Sequence, residues 1–256
     1  MSEVPLYDAL SVDYDHFVHW PERLRGELPF LEAQFRAHGV RRVLDAACGT
    51  GQHALALARR GYEAAGADLS PGMIEQARAR AAEAGLPVPF QVAPLGGLRA
   101  AFAEPFDALL CLGNSLPHVL SPGAVQAALR DFAAVLRPGG VAIIQNRNYD
   151  HVWGERERFM PLQAHREGDH EWLFFRFMDF HEATLTFNVV TLQRSSPNEA
   201  WSYRVGATEL QPLFQREMAG WLPEAGFSAA EFYGSYSGAP FDPELSGDLI
   251  VVAERG

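Results

Sequence analysis

The sequence predicts an α/β fold: a seven-stranded sheet with helices on both faces, and an antiparallel β meander inserted late in the chain. Three observations predict it. Short apolar runs alternate with amphipathic helical stretches over the first 150 residues. After Asp150 the texture turns aromatic and β-branched, and a helix followed by two strands then closes the chain. Strict alternation of strand and helix implies a parallel sheet with crossover helices.

The strands of the first part are read at Arg42–Ala46, Glu63–Ala67, Phe90–Val92, Ala108–Leu112 and Val141–Gln145. Helical stretches lie between them at His53–Arg60, Met73–Ala84 and Ala124–Leu136. Gly61, Gly85 and the Pro138-Gly139-Gly140 turn punctuate the helix ends, where left-handed backbone is easiest for glycine. Glu171–Phe180, Thr184–Arg194 and Trp201–Ala207 form the meander, with Asn198 and Glu199 in a turn. Helix returns at Leu210–Ala225, and strands at Ala229–Gly234 and Asp248–Ala253 end the chain as a hairpin-like pair. The expected division is residues 1–150, an N-terminal lid helix and a cofactor-binding core. Residues 151–207 are the inserted substrate lid, and 208–256 complete the core sheet.

Composition narrows the chemistry. The 256 residues suit one large domain with an insertion, and 48% hydrophobic with 21% charged residues suits a packed core. All 21 basic residues are arginine, against 32 acids, for a net charge of −11. Without lysine there is no Walker-type phosphate loop, Schiff-base or pyridoxal phosphate site, protein kinase, or Tyr-x-x-x-Lys dehydrogenase. The arginines are scattered, so no basic face invites nucleic acid. No apolar run approaches the roughly 20 residues of a membrane span. Met1–Leu10 carries two acids and no base, unlike a signal peptide. Cys48 and Cys111 make neither a disulfide framework nor a zinc set, and the nine histidines show no metal spacing. A reduced, cytoplasmic protein with no metal is expected, its partner a small molecule, with neither nucleic acid nor membrane.

The sharpest local signal is Val43-Leu44-Asp45-Ala46-Ala47-Cys48-Gly49-Thr50-Gly51, which leaves a strand and enters a helix. Glycines there let a ligand approach the backbone, and the helix N-terminus offers free N–H groups. Asp68 closes the next strand, a place for a carboxylate on ribose hydroxyls. Two cofactors compete. Gly49-x-Gly51-x-x-Ala54 almost meets the dinucleotide fingerprint. Asp45, however, would repel a pyrophosphate and attract an ammonium group. Charge therefore favours S-adenosylmethionine, which carries a sulfonium and an ammonium but no phosphate.

Asp-Ala-Ala-Cys-Gly-Thr-Gly at 45–51, followed by Ala67-Asp68-Leu69-Ser70-Pro71-Gly72-Met73, resembles the class I S-adenosylmethionine-dependent methyltransferases, with their Rossmann-like sheet and reversed seventh strand. That resemblance implies that Ala47, Gly49 and Gly51 line the methionine portion, Asp68 holds the ribose, and Leu69 and Met73 flank the adenine. Pro94 and Leu95 stand where the family often has an acid or amide, leaving the adenine contact to backbone. Cys111 and Leu112 end the strand that faces the cofactor; Cys48 and Cys111 read as small packing residues.

Cys111-Leu112-Gly113-Asn114-Ser115 and Arg147-Asn148-Tyr149-Asp150, with Tyr14, Trp20 and Arg23 upstream, resemble the glycine and glycine/sarcosine N-methyltransferases. The resemblance implies N-methylation of an amino acid or another carboxylated amine. Arg147 would pair the acceptor carboxylate bidentately, and Asn114 would meet the amine. Arg23 would meet the cofactor carboxylate, with Tyr14 beside it and Trp20 mainly in the core. Arg25 rivals Arg23, and the run Glu22-Arg23-Leu24-Arg25-Glu27 also reads as a solvated helix face. His118 or Tyr149 would assist proton removal, although a histidine after a strand is more often a structural donor. His16 and His19 read as structural. Three alternatives remain: O-methylation of a small metabolite, a cofactor-binding regulator without catalysis, and an NAD-dependent oxidoreductase.

Overall fold

A computed structural model describes residues 18–256. Its core is a seven-stranded sheet. The strands are β1 (Arg42–Asp45), β2 (Glu63–Asp68), β3 (Phe90–Val92), β4 (Phe106–Cys111) and β5 (Leu136–Arg147), and later β10 (Phe227–Tyr233) and β11 (Asp248–Arg255). Their order is β10-β11-β5-β4-β1-β2-β3. The first five strands pair in parallel, while β11 runs antiparallel to both β5 and β10. The order turns away from β1 in both directions, which opens a crevice above the carboxyl ends of β1 and β4.

Two apolar layers sandwich the sheet because alternate residues of each strand face opposite sides. On one face Leu44, Leu109, Ala142 and Ile144 pack against Leu129 and Phe132 of α5 (Pro122–Val135) and Met218 of α7 (Gln215–Glu224). On the other, Val43, Leu110 and Ile143 meet Leu31 and Phe35 of α1 (Trp20–Ala37), Leu55 of α2 (Gln52–Ala58) and Ile74 of α3 (Pro71–Glu83). Serine starts two of these helices: Ser70 Oγ accepts from Met73 N at 3.2 Å, and Ser121 Oγ from Ala124 N at 3.3 Å. A short helix, α4 (Leu98–Ala101), follows β3.

The insertion is a separate antiparallel sheet, β6-β7-β8-β9, made of Gln163–Glu167, His170–Phe180, Leu185–Arg194 and Ser202–Leu210. Three of these strands match the meander read from the sequence. The first, β6, is polar and short and gave no alternating signal. Helix α6 (Tyr149–Gly154) was also missed; Asn148 caps it, with Oδ1 accepting from His151 N at 3.2 Å. Tyr149 and Val152 pack there against Met178, Leu185 and Leu210, joining the two sheets. The helix read from Leu210 begins at Gln215, because Leu210 ends β9 and Pro212 removes a donor. Pro138-Gly139-Gly140 lies inside β5 as a register shift between Phe106↔Leu136 and Ala108↔Val141. No described helix is long and apolar enough to cross a membrane.

Candidate functional site

The glycine turn sits where β1 delivers it. Ala46 N donates to Leu110 O and Cys48 N to Ala67 O, fastening the turn to both neighbouring strands. Gly49 and Gly51 have φ of +52° and +83°. A Cβ on Gly51 would lie 2.8 Å from the buried Phe90 ring, so backbone and packing both demand glycine. Asp68 Oδ2 accepts from Gly49 N at 2.8 Å and Oδ1 from Ser70 N at 2.9 Å. One carboxylate thus ties the two loops that flank the crevice. The crevice is a cavity of about 630 Å³ whose lining includes Ala47, Gly49, Asp68, Leu69, Met73, Pro94 and Leu95. Its size suits a nucleoside-sized ligand.

Below the turn lies a buried polar knot. Asp45 is 2% exposed, and its Oδ2 has no hydrogen-bond partner among the described residues. Burial pushes its carboxyl up to about 6; His53 and Arg23 oppose the rise, and Asp68 and Glu27 add to it. Glu27 accepts from Arg23 Nε at 2.8 Å and pairs with His53 Nε2 at 2.5 Å. Burial works to raise the Glu27 carboxyl, but the His53 hydrogen bond and the Arg23 charge outweigh it and hold it below the usual range. The Arg23 guanidinium lies over the Trp20 ring at 5.1 Å and against Gly113, where a Cβ would come within 3.2 Å of Nη2. The charged run on α1 is therefore not a solvated face: Glu27 is buried and Arg23 mostly so, while the rival Arg25 is exposed. Trp20 is core, edge-on to His53 at 5.4 Å. His19 stands edge-on to His165 of β6 at 5.9 Å. Tyr14 and His16 lie outside the described residues.

Cys111 and Leu112 do not line the cavity. Both are buried in the two apolar layers, so they back the site without touching it. Burial pushes the thiols of Cys48 and Cys111 up, away from thiolate chemistry.

Asn114 adopts φ +63° and joins the ends of β4 and β5. Its Oδ1 accepts from Arg147 N at 3.0 Å, and its Nδ2 donates to Tyr149 Oη at 2.9 Å. The amide read as an amine ligand is thus largely committed to holding its neighbours. Tyr149 is fully buried, and burial raises its hydroxyl to about 12. Arg147 Nη2 donates to Glu157 Oε2 at 2.9 Å, whereas its Nη1 is buried and has no hydrogen-bond partner among the described residues. His118 lines the cavity, and burial lowers its imidazole to about 4. At neutral pH the ring is uncharged and a weak base.

Several residues near the site have roles that the sequence does not mark. Gln145 accepts from Gly113 N at 2.8 Å through Oε1 and donates to Asp248 Oδ1 at 2.8 Å through Nε2, which brings the reversed strand into the site. Asn148 Nδ2 donates to the carbonyls of Pro243 at 3.0 Å and Ser246 at 2.9 Å, pinning the C-terminal loop under β5. The buried Tyr236 hydroxyl has no hydrogen-bond partner among the described residues and feels the charges of Glu27, Arg23 and Asp248. Only Glu27 left a usable trace, its i, i+4 spacing from Arg23 on a helix. The others depend on strand register that no local pattern records.

Residues 43–140 match the family of methyltransferase domains. That match covers less than half of the chain. Around that domain, the fold is the one seen in S-adenosylmethionine-dependent methyltransferases. A solved example from Clostridium acetobutylicum superposes with a TM-score of 0.78 at 15% identity, covering 98% of this chain and 99% of that one. A sugar N-methyltransferase from Streptoalloteichus superposes with a TM-score of 0.73 at 21% identity, covering 94% and 92%. In sequence, the chain is 38% identical over 140 residues to a glycine/sarcosine/dimethylglycine N-methyltransferase of Actinopolyspora halophila, covering 54% of this chain and 25% of that one. It is 34% identical over 139 residues to a glycine/sarcosine N-methyltransferase of Parasynechococcus marenigrum, covering 54% and 49%. The matched part spans half or less of the length of these relatives. The resemblance to the glycine and glycine/sarcosine N-methyltransferases is borne out as a likeness.

Proposed function

We propose that the chain is an S-adenosylmethionine-dependent methyltransferase acting on a small carboxylated amine, an amino acid such as glycine or sarcosine. The observation that carries this reading is Asp45: a buried carboxylate with an unpartnered oxygen, at the head of the glycine turn, suited to an ammonium and hostile to a pyrophosphate. The donor set fits S-adenosylmethionine. Asp45 would take its ammonium, Arg23 its carboxylate, and Ala47, Gly49 and Gly51 the methionine chain. Asp68 would take the ribose, and Leu69 and Met73 the adenine, with Pro94 and Leu95 at its rim. When bound, this cofactor supplies a methyl group made electrophilic by its sulfonium.

The chain's own residues then have to bind, orient and exclude water. The free Nη1 of Arg147 is the carboxylate donor for the acceptor. Asn114 is a positioning residue, holding the Arg147 backbone and the Tyr149 hydroxyl at one geometry. Near-attack placement and fixed dipoles provide the rate in such a site. Neither expected proton acceptor suits an ammonium: His118, at about 4, is too weak a base, and Tyr149, at about 12, stays protonated. The amine is therefore expected to arrive neutral, its proton already lost to solvent. The 151–207 insertion serves as the lid over the acceptor.

Equilibrium binding of S-adenosylmethionine against NAD, followed by labelled-methyl transfer to a panel of glycine, sarcosine, other amines and an amino sugar, tests this reading. Binding of the first cofactor and methylation of carboxylated amines is the expected result. Binding of NAD alone overturns it.

A further inference from the structure

The outer face of the inserted sheet is apolar, although the solvent-facing side of an antiparallel sheet is ordinarily polar. Residues opposite each other across an antiparallel ladder turn to the same side, so the register defines this face row by row. Leu173, Leu192 and Tyr203 form one row, and Phe175, Val190 and Val205 the next. The row after them, Phe177, Asn188 and Ala207, holds a single amide. Phe174 and Met178, which alternate with these along β7, are buried and turn the opposite way, Met178 onto Tyr149 and Val152 of α6. Phe159 stacks on Phe175 at 6.0 Å and widens the apolar patch. Phe159, Tyr203 and Val205 are 56%, 72% and 63% exposed.

Charges stand at the two ends of this face. Beside the first row, Arg166 and Arg194 both bond Glu171, two guanidiniums to one carboxylate. Beyond the third, Asp179 and Glu209 flank Thr186 across the ladder, and Arg158 meets Asp179 at 2.6 Å, two carboxylates to one guanidinium. From Glu171 to Asp179 the face runs about 30 Å, and three strands about 4.8 Å apart give it a flat footprint of roughly 400 Å². An open surface of that size with an apolar centre marks an interaction site on a soluble chain. Two such faces bury about 800 Å² flat and more with side-chain relief, the scale of a reversible dimer rather than an obligate one.

We propose that a second copy of the chain docks on this face, sheet on sheet, about a two-fold axis that lies between the sheets along the row Phe175–Val190–Val205. That axis runs the strands of the two copies in opposite directions. It sets the end with excess positive charge in each copy over the end with excess negative charge in the other, so the match is made twice. It also sets Tyr203, one row above the axis, over Ala207 of the second copy, one row below it, a large side chain against a small one. A two-fold along the strands would instead bring like ends together. At a net charge of −11 the copies repel each other in general, so their attraction has to be local. Opposite charge excesses at the two ends of one apolar face are what a surface needs to match itself, whereas a lipid surface or an acidic partner would ask for one sign throughout. The inference uses none of the residues of the methyl-transfer reading and stands apart from it.

Sedimentation of the full chain from about 1 to about 200 µM tests the proposal, with a monomer–dimer equilibrium of micromolar Kd as the expected result. Val205→Asp puts two carboxylates face to face at the axis and should raise that Kd at least about a hundredfold. Tyr203→Ser should raise it about tenfold, as loss of an aromatic anchor does. Leu245→Asp, at an 85% exposed position in the loop between β10 and β11, should leave it unchanged. Thermal unfolding at low concentration checks that each variant protomer is folded. Val205→Cys reads the axis: Cys48 and Cys111 are buried, and a bis-maleimide spanning about 8 Å should join position 205 of one copy to 205 of the other across sheets about 10 Å apart. With an axis along the strands, 205 would face β7 of the second copy and this link would not form. A wild type that stays monomeric at the highest concentration overturns the proposal. So does a dimer that Val205→Asp leaves intact, or one in which Val205→Cys does not link to itself.

Discussion

The two sheets of this molecule are built on opposite plans. In the seven-stranded sheet, β4 and β5 are buried on both faces along most of their length, and every inward residue is apolar until the strands reach the crevice. In the four-stranded sheet, β9 is exposed along most of its length, with Tyr203 at 72% and Val205 at 63%, yet the opposite face of β7 buries an arginine. The first plan creates a rigid edge on which glycines and acids can be placed to a fraction of an ångström. The second carries a more exposed surface and turns one charged side chain, Arg176, inward. We propose that cofactor chemistry belongs to the first plan and choice of acceptor to the second.

The largest expected break in this contrast is at Asp45. Asp45→Asn should weaken S-adenosylmethionine binding by about a hundredfold, the scale of a lost buried charge pair, as calorimetry would record. Without cofactor the same variant should unfold at a higher temperature at pH 8. Burial has raised the carboxyl to about 6, so the folded chain holds a charged Asp45 at a cost above that pH. The cost fades as pH falls through about 6, and the stability difference between variant and wild type vanishes below about pH 4.

Next in size is Gly51→Ala. Positive φ and the Phe90 contact together should cost about 2–4 kcal/mol in denaturant unfolding. A cost under about 0.5 kcal/mol would mean the core edge is softer than its packing implies.

Titration of cofactor affinity sharpens the contrast further. Protonating Asp45 removes the acceptor for an ammonium, so the Kd should rise about tenfold for each pH unit below about 6. The profile should be flat in Asp45→Asn. His53, Arg23, Asp68 and Glu27 share that surrounding, and a slope persisting in the variant would shift the titration to one of them.

Smaller still, Tyr149→Phe removes the hydroxyl that receives the Asn114 amide. We expect a severalfold loss of kcat/KM for the acceptor and little change in cofactor affinity, a split that steady-state kinetics resolves. At the bottom of the scale, Val205→Thr on the exposed side of β9 should change stability by less than about 0.5 kcal/mol.

The same contrast explains what could be read in the sequence. The α/β alternation, the glycine turn, Asp68 and the sheet's terminal pair are local patterns, and they led to the right sheet. Strand β6 is short and polar and helix α6 is only six residues long, so periodicity could not mark them. Within the site, Asp45, Arg23 and Arg147 stood out by their motifs. Gln145 and Asp248 did not, because their bond depends on β11 lying beside β5 in one register. The burial of Arg176, in the inserted sheet, was invisible for a different reason. In the run Phe174-Phe175-Arg176-Phe177 only the pleat decides which side chain turns inward.

The reversal of β11 has a practical outcome. Because that strand starts beside the crevice at Asp248 and runs the opposite way to its parallel neighbours, the chain emerges at the far edge of the sheet. There Gly256 N donates to Gly226 O, and Arg255 reaches the Leu136 carbonyl. Eight residues of strand separate the two edges, about 25 Å. A fluorophore or affinity handle attached to this edge of the sheet would stand a full strand length from the crevice, which makes that edge the one from which to hold the protein without obstructing acceptor access.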